Sequence, residues 1–298
     1  MKKDLLTLSD VNASELKNII FLAMKIKKKP YKFLHKLEYK NIILLFEKPS
    51  LRTRLSFEVG MKELGGDAIF YSKEHSTLGY KETYADFGKI ASTYAAGIVC
   101  RLYEQRNVEE IALSTNKPVI NALTNQHHPM QAIGDFMTIF EKKKKFNVTI
   151  AYLGDAKNNV THSLMEAAKL LGAKINIACP PGYEPLKEIY EENKEHTEIF
   201  RKPEEAVANA DVIYTDSWMS YQISPQLLQK RKKDLAKYQV NAALLAKAPP
   251  ACLVMHCLPA TRNQEITTEV LEGKQSIVFE QAANRLHSTK AVLLKMLR

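Results

Sequence analysis

The sequence has few residues that could build a structural metal site or a membrane span. Its four cysteines stand at positions 100, 179, 252 and 257, and no two of them form a CxxC pair. Cysteine and histidine do not cluster at metal-ligand spacing, so we predict no metal site and four reduced thiols. No apolar run approaches the roughly 20 residues that a membrane span needs. The N-terminus also has no signal-peptide pattern, so we expect a cytoplasmic protein without a membrane partner.

Two common phosphate-binding loops are also missing. The Walker A pattern GxxxxGK[ST] does not occur, and the stretch GDAKNN at 154–159 has a single glycine where a dinucleotide-binding loop needs three. These absences argue against a P-loop enzyme and predict no cofactor. A nicotinamide-dependent dehydrogenase on the same type of sheet stays open only as an alternative of a different class.

Composition and charge indicate an ordinary globular protein. The chain has 298 residues, of which 45% are hydrophobic and 26% charged, enough for one large domain or two of ordinary size. The formal net charge of +10 invites a nucleic-acid hypothesis. However, the lysine runs at 25–32, 141–145 and 230–233 lie where helices end or loops begin, which is typical of solvated surface. We therefore predict no nucleic-acid partner, although the excess charge would attract phosphate.

Short aliphatic or β-branched runs alternate with helical patterns along the chain. Apolar residues at helical spacing occupy 55–64, 159–171 and 282–297. This alternation predicts parallel sheets with helices on both faces. The predicted strands are 41–46, 67–71, 97–100, 117–123, 147–154, 174–179, 211–216, 251–257 and 276–280.

A longer helical pattern at 128–145 separates two similar series of strands and helices. We therefore expect one domain over residues 1–142 and a second over 143–298, with the C-terminal helix at 281–298 packing back on the first. Ligands of open α/β sheets bind at the carboxyl ends of strands, and both halves carry polar residues there. The prediction is two doubly wound parallel-sheet domains with the active site in the cleft between them.

The stretch FEKPSLRTRLSFE at 46–58 predicts an anion site. A strand ends near Phe46 and a helix starts near Leu51, so the N–H groups of the first helical turn favour a phosphate. Arg52 can add a bidentate contact, Ser50 and Thr53 can donate hydroxyls, and Leu51 can contribute only its N–H. On local grounds alone, an N-capped helix with surface arginines stays an alternative.

This stretch resembles the S-x-R-T-R…S-F-E motif of the aspartate and ornithine carbamoyltransferases. Further motifs of that family follow in the right order, and several of them have the form found in the ornithine branch. They are RLYE at 101–104, HPMQ at 128–131, GDAKNNVTHSL at 154–164, MHCLP at 255–259 and ANRLH at 283–287, where Ala283 stands for the usual glutamate.

The resemblance implies a reaction and an assembly. Enzymes of the ornithine branch transfer the carbamoyl group of carbamoyl phosphate to the side-chain amine of L-ornithine, giving L-citrulline and phosphate, in arginine biosynthesis. The family forms trimers or multiples of trimers, and the loop that corresponds to 72–87 here enters the neighbouring subunit's site. We therefore expect a homotrimer with shared active sites, with Thr77 standing where the family often has glutamine.

The resemblance also implies roles for single residues. Arg101 and His128 would donate hydrogen bonds to the carbonyl oxygen, and Cys257 would complete the catalytic group. The expected carbamoyl-phosphate-binding residues are Ser50, Leu51, Arg52, Thr53, Thr77, Arg101, His128, Gln131, Cys257, Leu258 and Arg285. The expected ornithine-binding residues are Asn159, Asp216, Ser220, Tyr221 and Cys257.

Two departures from the family pattern bear on the acceptor amine. Tyr221 and Gln222 replace the Met-Gly of the ornithine branch's D-x-W-x-S-M-G motif. Leu51, in place of threonine, is also found in family members that use N-acylated ornithines. Putrescine and N-acyl-ornithine therefore remain alternative acceptors at this point.

Overall fold

The computed structural model describes residues 4–219 and 225–297. Two parallel sheets, each interleaved with helices, make up this part of the chain. The strands are β1 (Asn41–Phe46), β2 (Asp67–Ser72), β3 (Gly97–Arg101), β4 (Val119–Leu123), β5 (Thr149–Leu153), β6 (Lys174–Ala178), β7 (Thr197–Phe200), β8 (Val212–Thr215) and β9 (Leu253–His256).

Helices follow most of these strands, and short 3-10 turns supplement them. The α-helices are α1 (Ala13–Lys28), α2 (Leu51–Glu63), α3 (Tyr84–Tyr94), α4 (Gln105–Ser114), α5 (Pro129–Lys143), α6 (Asn159–Leu171), α7 (Lys187–Asn193), α8 (Pro203–Val207), α9 (Pro225–Leu235), α10 (Ala242–Leu245), α11 (Thr268–Leu271) and α12 (Val278–Met296).

The first sheet has the order β2-β1-β3-β4 and is wholly parallel. The strand order reverses between β1 and β3, which creates a switch point where the loops after these strands diverge. The register between β3 and β4 shifts between Cys100 and Arg101. Such an irregularity redirects a side chain at the end of a strand, and here that side chain belongs to Arg101.

The second sheet has the order β7-β6-β5-β8-β9 and is also parallel. Its switch point lies between β5 and β8, which pair from Ile150 with Val212 to Leu153 with Thr215. The two sheets confirm the prediction of two doubly wound parallel-sheet domains.

Each sheet has its own apolar core. Around the first sheet, Leu45, Ile98 and Cys100 pack with Phe87 and Ile111 of the covering helices. Around the second, a separate cluster joins the strand residues Leu153, Ile213 and Val254 to helical residues. Residues at these positions are buried on both faces of a parallel sheet, which explains why the strands read as continuous aliphatic runs. All four cysteines are free thiols.

The described chain divides into two compact units. The first comprises residues 1–138 and 283–298, and the second comprises 139–282. The C-terminal part of α12 packs on the first unit, since Lys290 pairs with Glu63 of α2 and Asn284 donates to Thr138 Oγ1 at 2.9 Å.

One strand prediction is wrong and one strand was missed. The run at 276–280 is not a strand, because α12 begins at Val278 and Ser276 forms only an isolated bridge to Val254. A short apolar run cannot be assigned to strand or helix by periodicity alone. The strand β7 was missed because its four residues, T-E-I-F, lie at the sheet edge and lack a strong pattern.

Within the described ranges, none of the helices combines the length and the apolar character that crossing a membrane would require.

Candidate active site

The start of α2 has the geometry that an anion site would need. Ser50 is its N-cap in an extended conformation, with φ −164°, and its hydroxyl accepts the Thr53 N–H at 3.3 Å. The N–H groups of Leu51 and Arg52 belong to the same first turn and have no acceptor within the helix. The side chain of Leu51 is exposed and that of Thr53 is buried, so the helix start presents backbone N–H groups, a hydroxyl and the Arg52 guanidinium.

Arg101 comes from a different strand and meets this helix start. It ends β3 at the register shift, is buried, and its Nη1 donates to Thr53 Oγ1 at 3.4 Å. Two residues that lie 48 positions apart in the chain are thereby joined at the carboxyl edge of the first sheet. A guanidinium next to a helix N-terminus suits an anion with a polar carbonyl attached to it.

His128 stands directly before α5 and is buried. Its backbone carbonyl accepts the Gln131 N–H at 3.0 Å, which fixes the first turn of the helix. Burial, followed by the positive charges of Arg285, Arg101 and Lys48, holds the pKa of the His128 imidazole well below 6.5. The imidazole is therefore neutral at pH 7 and can donate an N–H to a carbonyl oxygen without carrying a charge.

Gln131 and Arg285 are joined by a hydrogen bond between their side chains. The Arg285 guanidinium donates from Nη1 to the Gln131 side-chain oxygen, and Gln131 Nε2 donates to Asp135 Oδ1 at 2.8 Å. All three side chains are buried. The amide orientation is thus set by two neighbours, and the Gln131 oxygen keeps a second lone pair for a ligand NH₂ group.

Two residues at this site were missed from sequence. A Cβ at Gly134 would lie 3.0 Å from Arg285 Cδ, so a glycine leaves room for the arginine. Lys48 is buried, donates to Asn125 Oδ1, and lies 4.4 Å from the ring centroid of Tyr103. The only sequence signal for Lys48 was its position two residues before Ser50, because its burial depends on loops far away in the chain.

Glu47, which follows β1, ties the loop that carries Thr77 to the first sheet. Its Oε1 accepts from Lys73 and from the Tyr84 hydroxyl at 2.8 Å, and its Oε2 accepts the Tyr103 N–H at 2.7 Å. These bonds, together with the positive charge of Lys73, outweigh burial and lower the pKa of the Glu47 carboxyl. Thr77 itself is exposed in a turn, where its carbonyl accepts backbone N–H groups.

In the second unit, the structure joins two of the predicted acceptor-site residues. Asp216 follows β8 and Cys257 follows β9, and the Cys257 thiol donates to Asp216 Oδ1 at 2.7 Å. The Ser217 N–H donates to the same oxygen at 2.6 Å. Desolvation by the surrounding protein raises the pKa of the Asp216 carboxyl, while its hydrogen bonds act in the opposite direction.

His256 orders the turn that contains Cys257 and Leu258. Its Nδ1 accepts the Leu258 N–H at 2.8 Å, and its Nε2 lies 3.2 Å from Oε1 of the buried Glu265. Asp216, His256 and Cys257 bring possible metal-ligand atoms within 4.8 Å of one another, although their spacing in the sequence does not predict this proximity. Both imidazole nitrogens are already engaged, however, so the His256 ring offers a metal ion no free nitrogen.

The remaining predicted acceptor residues stand at the carboxyl edge of the second sheet or outside the described chain. Asn159 is the first residue of α6, next to the N-cap Asn158, whose side chain accepts from the N–H groups of Val160 and Thr161 at 2.9 Å. Ser220 and Tyr221 lie outside the described residues.

Two protein-family models match the chain, one over the residues of the first sheet and one over those of the second. The family model "Aspartate/ornithine carbamoyltransferase, carbamoyl-P binding domain" matches residues 3–141, and "Aspartate/ornithine carbamoyltransferase, Asp/Orn binding domain" matches residues 146–296. The chain therefore belongs to the aspartate/ornithine carbamoyltransferase family.

Within this family, the chain is similar to several ornithine carbamoyltransferases. The chain is 44% identical to an ornithine carbamoyltransferase of Archaeoglobus fulgidus, covering 99% of this chain and 97% of that protein. The solved ornithine carbamoyltransferase of Pyrococcus furiosus superimposes with a TM-score of 0.93 at 41% identity, covering 98% of this chain and 96% of that one. The Thermus thermophilus structure of the same name gives 0.91 at 37% identity over the whole of both chains.

Proposed function

We propose that this protein transfers the carbamoyl group of carbamoyl phosphate to the side-chain amine of L-ornithine, giving L-citrulline and phosphate. The observation that carries the proposal is the contact of Arg101 with Thr53 at 3.4 Å, which joins a carbonyl-binding guanidinium to a phosphate-binding helix start. The names of the similar proteins support ornithine as the acceptor.

The donor half of the reaction is assigned to the first unit. Ser50, the N–H of Leu51, Arg52 and Thr53 hold the phosphate, and the neutral His128 and Arg101 donate to the carbonyl oxygen. That oxygen gains negative charge as the amine attacks, and each fixed donor is worth about 2.7–4 kcal/mol in such a site. Gln131, oriented by Arg285, accepts from the carbamoyl NH₂. Cys257 and Leu258 are the two residues of the second unit that are assigned to this ligand as well.

The amine nitrogen forms a bond to the carbonyl carbon, and the bond between that carbon and the bridging oxygen breaks. Phosphate leaves with the electron pair, and the proton that the nitrogen loses ends on the departing phosphate. The attacking amine must be neutral, whereas a free δ-amine resembles lysine with a pKa of about 10.4. The protein therefore has to bind the form of ornithine whose α-amine is charged and whose δ-amine is not.

The acceptor half is assigned to the second unit. Asp216 pairs with the α-ammonium, and Asn159 binds the α-carboxylate from the start of its helix. Ser220 belongs to the same ornithine-binding set. An incoming ammonium would counteract the desolvation that raises the pKa of the Asp216 carboxyl, and so favour its charged form. Cys257 offers the δ-nitrogen a weakly polar neighbour, and Tyr221 belongs to the same group.

The proposal extends to organisation in the cell. It takes residues 1–142 as the carbamoyl-phosphate-binding domain, with the C-terminal helix at 281–298 on it, and residues 143–298 as the ornithine-binding domain, with the reaction in the cleft between them. It also takes the protein as a cytoplasmic homotrimer, or a multiple of trimers, in arginine biosynthesis. In that assembly Thr77 serves the site of the neighbouring subunit.

The test is citrulline formation in competition between amines. Purified protein is given carbamoyl phosphate with L-ornithine, putrescine or N-acetyl-ornithine, and each carbamoylated product is quantified. Putrescine lacks the α-carboxylate and an N-acyl-ornithine lacks the α-ammonium, so each would leave a polar group unpaired, at a cost of about 3–5 kcal/mol for a buried charge. We expect L-ornithine to be preferred by at least about a hundredfold in kcat/KM. Equal or better use of another amine would refute ornithine as the acceptor, and no carbamoylated amine at all would refute the transferase.

The other class of enzyme that the sequence left open has less support. A nicotinamide-dependent dehydrogenase would need a glycine-rich turn after β5, but the loop there contains Gly154 alone, and a Cβ at Gly154 would lie 2.9 Å from Trp218 Nε1. This glycine therefore accommodates a tryptophan of the same chain.

A further inference from the structure

Lys48 is a buried ammonium with unusual surroundings. It is 5% exposed, and its Nζ donates to the neutral amide oxygen of Asn125 and lies over the ring of Tyr103. In the described part of the chain, no carboxylate forms an ion pair with it. A buried charge without a counter-charge is unfavourable, which makes this ammonium a candidate partner for an anionic ligand.

The nearby acidic groups do not supply that charge. Glu47 is the adjacent residue, but its two oxygens already accept from Lys73, Tyr84 and the Tyr103 backbone. Glu47, and Glu104 in the loop after β3, therefore act on Lys48 only through charge attraction, without an ion pair.

Neighbouring cations disfavour the charged form of Lys48. Arg101 at the end of β3 repels it, and Lys48 in turn acts on His128 at the start of α5, together with Arg285 of α12. Positive charge from several elements therefore converges at the carboxyl edge of the first sheet. The position of Lys48, two residues before the N-cap Ser50, places its backbone next to the proposed phosphate clamp.

We propose that Lys48 is a further binding residue for the phosphate dianion of carbamoyl phosphate. This inference rests on the proposed function, whose phosphate-binding residues did not include Lys48.

The direction of the pH dependence follows from the free site. Burial, followed by the charge of Arg101, lowers the pKa of Lys48 from 10.5 to about 8. A bound dianion favours the ammonium and raises this pKa again. Below about pH 8 the ammonium is already present in the free protein. Above it, binding must first protonate the amine, so affinity for the dianion falls by up to about tenfold per pH unit.

The experiment measures the affinity for phosphonoacetamide, a stable analogue of carbamoyl phosphate, by calorimetry between about pH 7 and about pH 9.5. It compares the wild type with Lys48→Arg, which stays charged, and with Lys48→Met, which has no charge. Lys62→Met, an exposed lysine at the C-terminal end of α2, is the matched control. Since all four proteins meet the same ligand, any titration of the ligand itself cancels in the comparison.

We expect the affinity of the wild type to fall above about pH 8 and that of Lys48→Arg to fall less steeply. Lys48→Met should bind about tenfold or more weakly at pH 7, the size of one lost charge-assisted contact, and Lys62→Met should match the wild type. Repeating the titration at about pH 8.5 in two buffers of different ionisation enthalpy should reveal proton uptake by the wild type that Lys48→Arg lacks.

Identical pH profiles for the wild type and Lys48→Arg would overturn the proposal, and so would unchanged affinity in Lys48→Met. If Lys48→Met does not fold, the comparison with Lys48→Arg still decides. Citrulline formation by the wild type is measured alongside. Its absence would refute the proposed function, whereas citrulline formation with identical pH profiles would refute the role of Lys48 alone.

Discussion

The Arg285 guanidinium donates a hydrogen bond to the side-chain oxygen of Gln131, although 154 residues separate the two in the chain. This bond connects α12 to the first turn of α5 and sets the Gln131 amide, whose nitrogen binds Asp135. Gly134, one turn beyond Gln131, leaves space for the Arg285 side chain. Because Gly134 contacts Arg285 and Arg285 orients Gln131, we expect a substitution at Gly134 to change ligand binding.

Replacing Gly134 by alanine should weaken carbamoyl-phosphate binding. The added Cβ would lie 3.0 Å from Arg285 Cδ and 3.3 Å from Ser288 Oγ, which forces the guanidinium away from Gln131. We expect kcat/KM for carbamoyl phosphate to fall by about tenfold or more, as for 1–3 kcal/mol of overpacking. Steady-state kinetics measures this effect. The control is Gly60→Ala in α2, whose Cβ would meet Lys290 Cγ at 3.3 Å. Unchanged kinetics in both variants would contradict the prediction.

Arg52 and Arg54 provide a matched pair for testing the phosphate site. Arg54 Nε binds Glu58 at 2.7 Å and its guanidinium lies 3.8 Å from the Phe70 ring centroid, so this side chain has partners of its own. Arg52→Gln should weaken the binding of carbamoyl phosphate by about 2–5 kcal/mol, as when one partner of a charge pair is removed. Arg54→Gln should leave it nearly unchanged. Calorimetry on both variants decides, and equal losses would show that Arg52 is not the specific anchor.

His128→Ala should lower kcat by about 10²–10³ through the loss of one donor to the developing oxyanion. Because the pKa of His128 is held well below 6.5, its imidazole is neutral throughout the physiological range. Titration of His128 should therefore not lower kcat near pH 6.5. The wild type and His128→Asn should show the same pH dependence of kcat in that range. Isolation of a carbamoyl adduct on His128 would contradict the role of a hydrogen-bond donor.

The same lowered pKa makes His128 a source of acid sensitivity. The unfolded chain protonates this residue below about pH 6.5, whereas the native chain does not. The unfolded state then binds more protons, so the free energy of unfolding decreases as pH falls, by up to about 1.36 kcal/mol per unit. Urea unfolding at about pH 7 and about pH 5 should give a smaller loss for His128→Asn than for the wild type. An equal loss would mean that His128 is not buried in its neutral form.

If subunits share active sites, as proposed, two inactive variants should complement each other. One inactive variant at Arg52 and a second inactive variant at Thr77, mixed under conditions that exchange subunits, should recover part of the activity through hybrid sites. The Thr77 variant alone must first be shown to be inactive, and the size of the assemblies is followed by light scattering. Trimeric hybrids without recovered activity would exclude a role of Thr77 in the neighbouring site.

The sequence was sufficient where the relevant contacts are local. The helix start at Leu51, with Ser50 as its N-cap, was predicted because a capping residue and the first helical turn are neighbours in the chain. The same holds for Asn159 at the start of α6. The aliphatic runs predicted eight of the strands, since burial on both faces of a parallel sheet leaves a continuous apolar pattern. The run at 276–280 failed because the same pattern also suits a buried helix start.

By itself, the sequence determined the fold class, the order of the motifs and the residue types of the site, because these follow from local periodicity, capping and family motifs. Only the tertiary structure decided which of these residues meet. The contacts of Arg101 with Thr53, Arg285 with Gln131 and Cys257 with Asp216 each join distant parts of the chain. The burial of Lys48, and with it the lowered pKa, likewise depends on the loops after β3 and β4. Desolvation and electrostatic interaction depend on distance in space, and the linear sequence does not contain that distance.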